Sequence, residues 1–221
     1  MDPYNLLIKV LVYAIPVIFA ITLHEAAHGY VARMFGDNTA YMLGRVTLNP
    51  AKHIDPIGTI AFPLLSMAIG GIFFGWAKPV PVNFNNLRKP KQDMLWVAAA
   101  GPVSNMVQAL VWAGVAKLIV MSGPSSGIAQ FWLMVSEAGI AWNVVVAIFN
   151  LLPILPLDGG RMVVSVLPNR MAWSYSRLEP YGLPILIGVI ILMTMYQPLG
   201  AAFYGVLNAA EGLILSIFGL Q

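Results

Sequence analysis

The sequence has no cysteine and little charge, and each shortage excludes classes of protein. Without cysteine there are no disulfides, no thiolate metal ligands and no cysteine nucleophile. Charged residues make up 10% of the 221 residues and hydrophobic ones 59%, whereas a soluble domain carries about 25% charged residues. The composition therefore predicts an integral membrane protein with several spans in a lipid bilayer, and no nucleic-acid partner is expected.

Long apolar runs predict that the spanning elements are helices, because the runs are continuous rather than alternating. Helices are expected at about Asn5–Met34, Met94–Met121, Ala129–Leu152, Leu183–Tyr196 and Gly200–Phe218. A further run, Ile57–Gly75, is interrupted by Pro63 and Gly70-Gly71 and either spans fully or dips in and returns as a re-entrant hairpin. We expect an all-α polytopic membrane protein with five to six transmembrane helices, this hairpin included.

A small membrane-associated β-region is also expected. The stretch Tyr41–Asn49 contains β-branched residues in partial alternation, which favours a strand. In Pro79–Phe84, apolar side chains occupy every second position, and the two prolines fit only an edge strand or an extended segment. An exposed edge there could hold an extended peptide by strand addition.

The most informative motif is His24-Glu25-Ala26-Ala27-His28, which lies in an apolar run where residues 7–23 carry one charge, Lys9. Two histidines four residues apart share one face of a helix and can hold one zinc ion. The Glu between them suits a general base that activates metal-bound water. Polar groups in such a run are costly unless they have a function, so structural histidines are the weaker reading.

A catalytic zinc site needs a third protein ligand, and His53, the carboxylates and, more weakly, the amides are candidates. We favour Asp158, because a carboxylate in so apolar a neighbourhood requires a partner and the two glycines after it let the backbone approach a metal. Asp158 could also cap a short helix beginning at Gly159, and the two roles are compatible.

Three further polar residues are candidates for substrate or oxyanion contacts. Asn150 lies eight residues before Asp158 and could bond a substrate carbonyl or stabilise the oxyanion. Asn105 could do the same or only tie helices together. His53 could donate to the oxyanion or line the entry to the site, and an ordinary interfacial histidine fits equally well.

Three ordered motifs resemble those of the site-2 protease family of intramembrane zinc metalloproteases (peptidase M50 type). They are His24-Glu25-x-x-His28, Gly101-Pro102-x-x-Asn105 and Asn150-x-x-Pro153-x-x-x-Leu157-Asp158-Gly159. The resemblance implies one zinc ion per chain, held by His24, His28 and Asp158, with Glu25 as the catalytic residue. It also implies that the segment around Trp76–Asn83 is a membrane-embedded β-region. Many members carry a PDZ or CBS domain, and this sequence resembles a minimal member without one.

The expected organisation is a single membrane domain over residues 1–221, with a catalytic core at about 5–165 and accessory helices at about 181–219. The expected function is hydrolysis of a peptide bond within or near a transmembrane segment of a substrate protein. A membrane metal transporter or channel and a zinc-dependent lipid hydrolase are the alternatives. Glu25 argues against the first, because a structural or transported metal needs no carboxylate between two histidine ligands. The sequence leaves open whether the chain forms a homo-oligomer.

The positions of the lysines and arginines predict how the chain is oriented. If Ile57–Gly75 crossed fully, the helix ends that carry the zinc ligands would face opposite sides; if it returned, they would share a side. The second arrangement places ten of the twelve cations on one side, and that side is cytoplasmic. These ten are Arg33, Arg45, Lys52, Lys78, Arg88, Lys89, Lys91, Arg161, Arg170 and Arg177. We therefore expect a multi-pass cell-membrane protein with the zinc nearer the cytoplasm, an outside N-terminus and a cytoplasmic C-terminus.

Overall fold

The structure, a computed structural model, describes residues 3–61, 78–123 and 125–220. Within those residues the chain forms three short and five longer helices. They are α1 (Pro3–Met34), α2 (Thr39–Met42), α3 (Pro90–Ser122), α4 (Gly127–Asn150), α5 (Asp158–Val166), α6 (Asn169–Ser176), α7 (Gly182–Met195) and α8 (Gln197–Phe218). Single 3-10 turns lie at Pro50–Lys52, Phe84–Asn86 and Glu179–Tyr181, and a π-helical turn lies at Pro56–Ala61. The predicted long helices are confirmed to within a few residues.

Residues with special backbone properties set the helix ends. Pro90 occupies the first turn of α3, where its missing N–H costs no helical hydrogen bond. Gly123 ends the same helix at φ 72°, a conformation that L side chains rarely adopt. Ser126 caps α4 by accepting a hydrogen bond from the Ala129 N–H at 3.2 Å. The turn between α3 and α4 is therefore short, and the two helices pack antiparallel.

The core of the molecule is a bundle of α1, α3 and α4 in which α1 and α4 run in the same direction. In the first half of each helix, Val12 of α1 forms one buried cluster with Val135 and Ala138 of α4. The helix α3 runs the opposite way, since its Trp112 lies against Gly139 of α4 while its earlier residues approach the end of α1. The second half of α1 and the end of α4 consequently lie at the same end of the bundle.

The chain leaves α1 and enters α3 at that same end. The Phe35 carbonyl accepts a hydrogen bond from the Arg88 N–H at 3.0 Å, and the His53 carbonyl accepts one from the Lys78 N–H at 3.0 Å. The residues that flank Ile57–Gly75 are therefore held together, as a returning segment requires. Most of that run, including Pro63 and Gly70-Gly71, lies outside the described residues.

A buried carboxylate organises the turn that follows α1. Asp37 is fully buried and accepts hydrogen bonds from the backbone and hydroxyl of Thr39, the Asn83 N–H and the Asn86 side chain. Burial works against its ionisation, but these hydrogen bonds more than offset that effect, and the pKa of Asp37 lies below its usual 3.8. Asp37 thereby joins the end of α1 to the segment that precedes α3.

The predicted strands are not formed in the part of the chain that the structure describes. Residues 39–45 are helix and turn, because the N–H groups of Met42, Leu43 and Arg45 bond to carbonyls four or five residues earlier, and Gly44 takes a positive φ. In residues 78–83 the N–H groups of Val80 and Asn83 bond to the carboxylates of Glu25 and Asp37 instead of to a neighbouring strand. The alternating pattern was misleading here because side-chain acceptors supply the partners that a ladder would have supplied.

The last two helices correct one prediction. Gly182, at the start of α7, packs against the Leu155 carbonyl near the end of α4, whereas the Gly219 carbonyl, just after α8, accepts a hydrogen bond from Lys117 Nζ at 3.2 Å. Lys117 lies 16 residues beyond Gly101 on α3, or about 24 Å along the helix. The end of α8 is therefore at the far end of the bundle from His24 and His28, and the expectation that it shares their side is wrong. With 14 residues, α7 measures only about 21 Å, which is shorter than the hydrocarbon core of about 30 Å. Its apolar composition therefore did not show that this helix crosses the membrane by itself.

Five helical stretches in the described residues are long and apolar enough to cross a membrane. They are Leu7–Met34, Pro90–Ser122, Gly127–Asn150, Asn169–Met195 and Gln197–Phe218. The fourth combines α6, the turn after it and α7. The chain is thus a multi-pass membrane protein, and the predicted all-α class is confirmed.

Candidate metal centre

The two histidines of the motif lie one turn apart on the face of α1 that meets α3. Their Nε2 atoms are 3.1 Å apart and both side chains are buried. The facing position on α3 is Gly101, and a Cβ there would lie 2.5 Å from Nε2 of each imidazole. Because Gly101 has no side chain, the two imidazole rings have the space to converge against α3.

The third member of the cluster, Asp158, is the first residue of α5. Its Oδ2 lies 3.2 Å from Nε2 of His24 and its Oδ1 lies 3.4 Å from Nε2 of His28. The turn after α4 folds so tightly onto α5 that a Cβ at Gly159 or Gly160 would overlap its backbone. These two glycines are what brings the carboxylate back to α1.

The nitrogen of each imidazole that faces away from the cluster has a partner. Nδ1 of His28 bonds to the Val97 carbonyl at 2.7 Å, and Nδ1 of His24 bonds to Oδ1 of Asn105 at 2.6 Å. Partners of this kind orient metal-binding histidines and are part of most such sites.

The donor set fits zinc. One ligand atom from each of His24, His28 and Asp158 lies within 4.8 Å of the others, and two nitrogens with one carboxylate oxygen form a ligand set found in catalytic zinc sites. In addition, Oδ2 of Asp158 is buried and has no hydrogen-bond partner among the residues that the structure describes, which is costly for a carboxylate unless a cation occupies the space it faces. These are the three residues that the sequence predicted as ligands.

Glu25 lies beside this cluster but is not part of it. Its Oε2 accepts a hydrogen bond from the Val80 N–H at 2.7 Å. The segment before Val80 is itself held by Arg45, whose guanidinium donates to the Lys78 and Pro79 carbonyls. The carboxylate is therefore fixed next to the ligands by a chain segment that approaches from outside the helix bundle.

The remaining predicted residues have other surroundings. Asn105 is fully buried, and besides His24 it bonds to the Ala20 carbonyl and to Asn143, so both ends of its amide are engaged and it joins helices. Asn150 donates to the Val146 carbonyl within its own helix. His53 is buried in the loop after α2 and bonds through Nε2 to the Thr47 carbonyl, not to the ligand cluster. No described contact links Asn150 or His53 to the three ligands.

Sequence reasoning missed three contributors to the site. Gly101 was read only as part of a motif, although a glycine inside a helix costs about 0.5–1 kcal/mol and so signals a close approach. Asn143 was overlooked, although an amide in an apolar membrane helix calls for a partner. The Val97 carbonyl could not have been found, because a backbone acceptor leaves no trace in the residue type.

Comparisons with known proteins agree with this geometry. A family model described as Peptidase family M50 matches residues 114–195. The chain is 38% identical over 213 residues to "Putative zinc metalloprotease YwhC" of Bacillus subtilis (strain 168), which covers 92% of this chain and 89% of that protein. It is 30% identical over 178 residues to "Putative zinc metalloprotease Rip2" of Mycolicibacterium smegmatis, with 80% and 64% covered. No solved structure matches the chain.

The similarity to YwhC extends over nearly the whole of both chains, and it includes the stretches that bring the two histidines and the aspartate together. Multi-pass membrane architecture, a zinc-type ligand cluster and the family match all agree. The chain therefore belongs to peptidase family M50 and is a zinc metalloprotease of the site-2 type.

Proposed function

We propose that this protein cleaves a peptide bond within or near a transmembrane segment of a substrate protein. The observation that carries the proposal is the depth of the ligand cluster in the membrane helices. His24 lies ten residues, or about 15 Å, before the end of α1, and the hydrocarbon core of a bilayer is about 30 Å thick. A cluster at that depth meets substrates that lie in the membrane.

In this proposal Glu25 is the general base. Zinc bound by His24, His28 and Asp158 would polarise the scissile carbonyl and make the attacking water more acidic. Oε1 or Oε2 of Glu25 takes the proton of that water and returns it to the leaving amine. The hydrogen bond from the Val80 N–H keeps the carboxylate beside the ligands while it does so.

A substrate helix must unwind before it is cut, because its peptide groups are engaged in its own hydrogen bonds. We propose that the unwound strand enters next to residues 78–83, since this segment is the one that reaches Glu25. The side chains of Val82 and Phe84 pack against the cluster formed by Ala32, Leu87 and Val97. They therefore hold the segment in place beside Glu25.

We further propose that the ligand cluster faces the cytoplasmic half of the membrane. Support comes from the cations, because the residues at the ends of the segment after α1, such as Arg33 and Arg88, lie at the ligand end of the bundle. Lys117 lies at the other end beside Gly219. Positive residues accumulate on the cytoplasmic side of membrane proteins.

The test is cleavage of model transmembrane peptides by the purified full-length protein, with metal content measured on the same samples. Glu25→Gln should retain zinc and lose about 10²- to 10⁴-fold in cleavage, because an amide cannot accept the proton of the attacking water. Glu137→Gln, a matched change at an exposed position of α4, should cleave like the wild type. Near-wild-type cleavage by Glu25→Gln would disprove the general base. Cleavage of lipid esters without cleavage of any peptide would disprove the proposed substrate.

A further inference from the structure

A line of buried amides connects His24 to the interior of the helix bundle. Nδ1 of His24 contacts Oδ1 of Asn105 at 2.6 Å, and Nδ2 of Asn105 donates to Oδ1 of Asn143 at 2.9 Å. Asn105 and Asn143 are both completely buried. The line thus joins α1, α3 and α4, and it ends on a ligand of the metal cluster.

Two backbone carbonyls fix the direction of every hydrogen bond in this line. Nδ2 of Asn105 also donates to the Ala20 carbonyl at 3.2 Å, and Nδ2 of Asn143 donates to the Gly139 carbonyl at 2.8 Å. A carbonyl only accepts, so the amide group that faces it must be NH2. Turning the Asn105 amide over would place its oxygen against the Ala20 carbonyl and Oδ1 of Asn143, which is acceptor against acceptor in a fully buried region.

The oxygen of Asn105 must therefore face His24, and this determines the tautomer of that histidine. An oxygen acceptor at 2.6 Å requires a proton on Nδ1, and in the neutral imidazole that binds a metal the lone pair is then on Nε2. Nε2 is the atom that points at His28 and Asp158. In His28 the proton is also placed on Nδ1, because this nitrogen faces the Val97 carbonyl. The acceptor is a backbone group, so no side chain is needed to set this tautomer.

We propose that Asn105 is a positioning residue that presets His24 as a zinc ligand, with the Ala20 carbonyl and Asn143 setting its orientation. It touches neither substrate nor the reacting atoms. Its effect is to hold the imidazole of His24 in the Nδ1–H tautomer and at one ring angle before the metal binds. The inference rests on the proposed zinc chemistry only for the identity of the metal.

Zinc affinity of the full-length protein, measured by competition with a chelator, tests the proposal without using activity. Asn105→Leu has a similar volume and removes the acceptor, and we expect it to weaken zinc binding about 10- to 100-fold. Asn105→Asp keeps an oxygen towards His24 and, when protonated, also a donor towards the Ala20 carbonyl or Asn143, so its zinc affinity should fall less than that of Asn105→Leu. The control is Gln108→Leu, which removes a buried amide one turn along α3 that bonds only to Ser104 among the described contacts and should leave affinity unchanged.

A second measurement needs no variant to fold. In the metal-free wild-type protein, nitrogen-15 NMR of labelled histidine should show His24 in the Nδ1–H tautomer. A mixture of tautomers, or the Nε2–H form, would overturn the proposal. It would also be overturned if folded Asn105→Leu bound zinc as tightly as the wild type, or if Gln108→Leu lost as much affinity as Asn105→Leu. Since cleavage is not measured, loss of the proposed protease function would leave these outcomes unaffected.

Discussion

Replacing Gly101 with alanine is the most direct test of how the ligand cluster is built. The added Cβ would lie 2.5 Å from Nε2 of both His24 and His28, whereas ordinary van der Waals contact begins at 3.4 Å. The rings would have to retreat by the difference, about 0.9 Å. They have little freedom to do so, because Asn105 and the Val97 carbonyl hold their Nδ1 atoms on the other side.

A shift of this size is large for a metal site. Zinc–nitrogen bonds are about 2.0–2.1 Å long, and the side chains of a functional site tolerate displacements of about 0.5 Å. We therefore expect Gly101→Ala to lose about 100-fold in cleavage, together with a comparable loss of zinc affinity. The helix itself should persist, because alanine is favoured over glycine inside a helix by about 0.5–1 kcal/mol.

The assay compares zinc affinity, peptide cleavage and thermal melting for two glycine variants of the same helix. Gly114→Ala is the matched control, since within the described part of the chain its Cβ would meet only Cε1 of Phe218, at 3.5 Å. It should bind zinc and cleave like the wild type. If Gly101→Ala melted normally and retained full zinc affinity, the close approach of α3 to the two histidines would be refuted.

Three further predictions concern other parts of the molecule. Asp158→Ala should strip zinc from the purified protein and His53→Ala should not; metal analysis showing the reverse would make the third-ligand assignment wrong. The pKa of Asp37 is lowered on folding, so its stabilisation is complete above about 3.8 and is lost as the pH falls through the folded-state value. Melting temperatures between pH 5 and 2 should therefore fall more steeply for the wild type than for Asp37→Asn, and parallel curves would contradict this. In intact cells, an impermeant thiol reagent should label Ser122→Cys but not Asn86→Cys, and labelling of both would refute the proposed sidedness.

The motif was readable from the sequence because its chemistry depends on local geometry alone. A helix of 3.6 residues per turn puts residues i and i+4 on one face whatever surrounds it, so His24 and His28 had to converge. The long helices were equally predictable, since each is a continuous apolar run of membrane-spanning length. Asp158 was identified because an unpaired carboxylate in apolar surroundings is energetically unfavourable and therefore needs a partner.

Where the prediction failed, the outcome depended on partners distant in sequence. Tyr41–Asn49 has a strand-like pattern, but strands exist only as pairs, and the described part of the chain offers this stretch no partner. The N–H of Val80 found the carboxylate of Glu25 instead of a strand, 55 positions away. The direction of α7 could not be predicted for the same reason. Hydrophobicity indicates that a helix is compatible with lipid, but it does not indicate the direction in which the helix runs.

The sequence by itself determined that this chain is a helical membrane protein with two histidines suited to zinc and a glutamate between them on one helical turn. Only the tertiary structure decided how those groups are held. Gly101 is meaningful because α3 crosses α1 at that residue, and Asn105 presets His24 because the Ala20 carbonyl and Asn143 face its NH2 group. Spacing along a helix is fixed by covalent geometry, whereas the contact of one helix with another is fixed by the packing of the whole bundle.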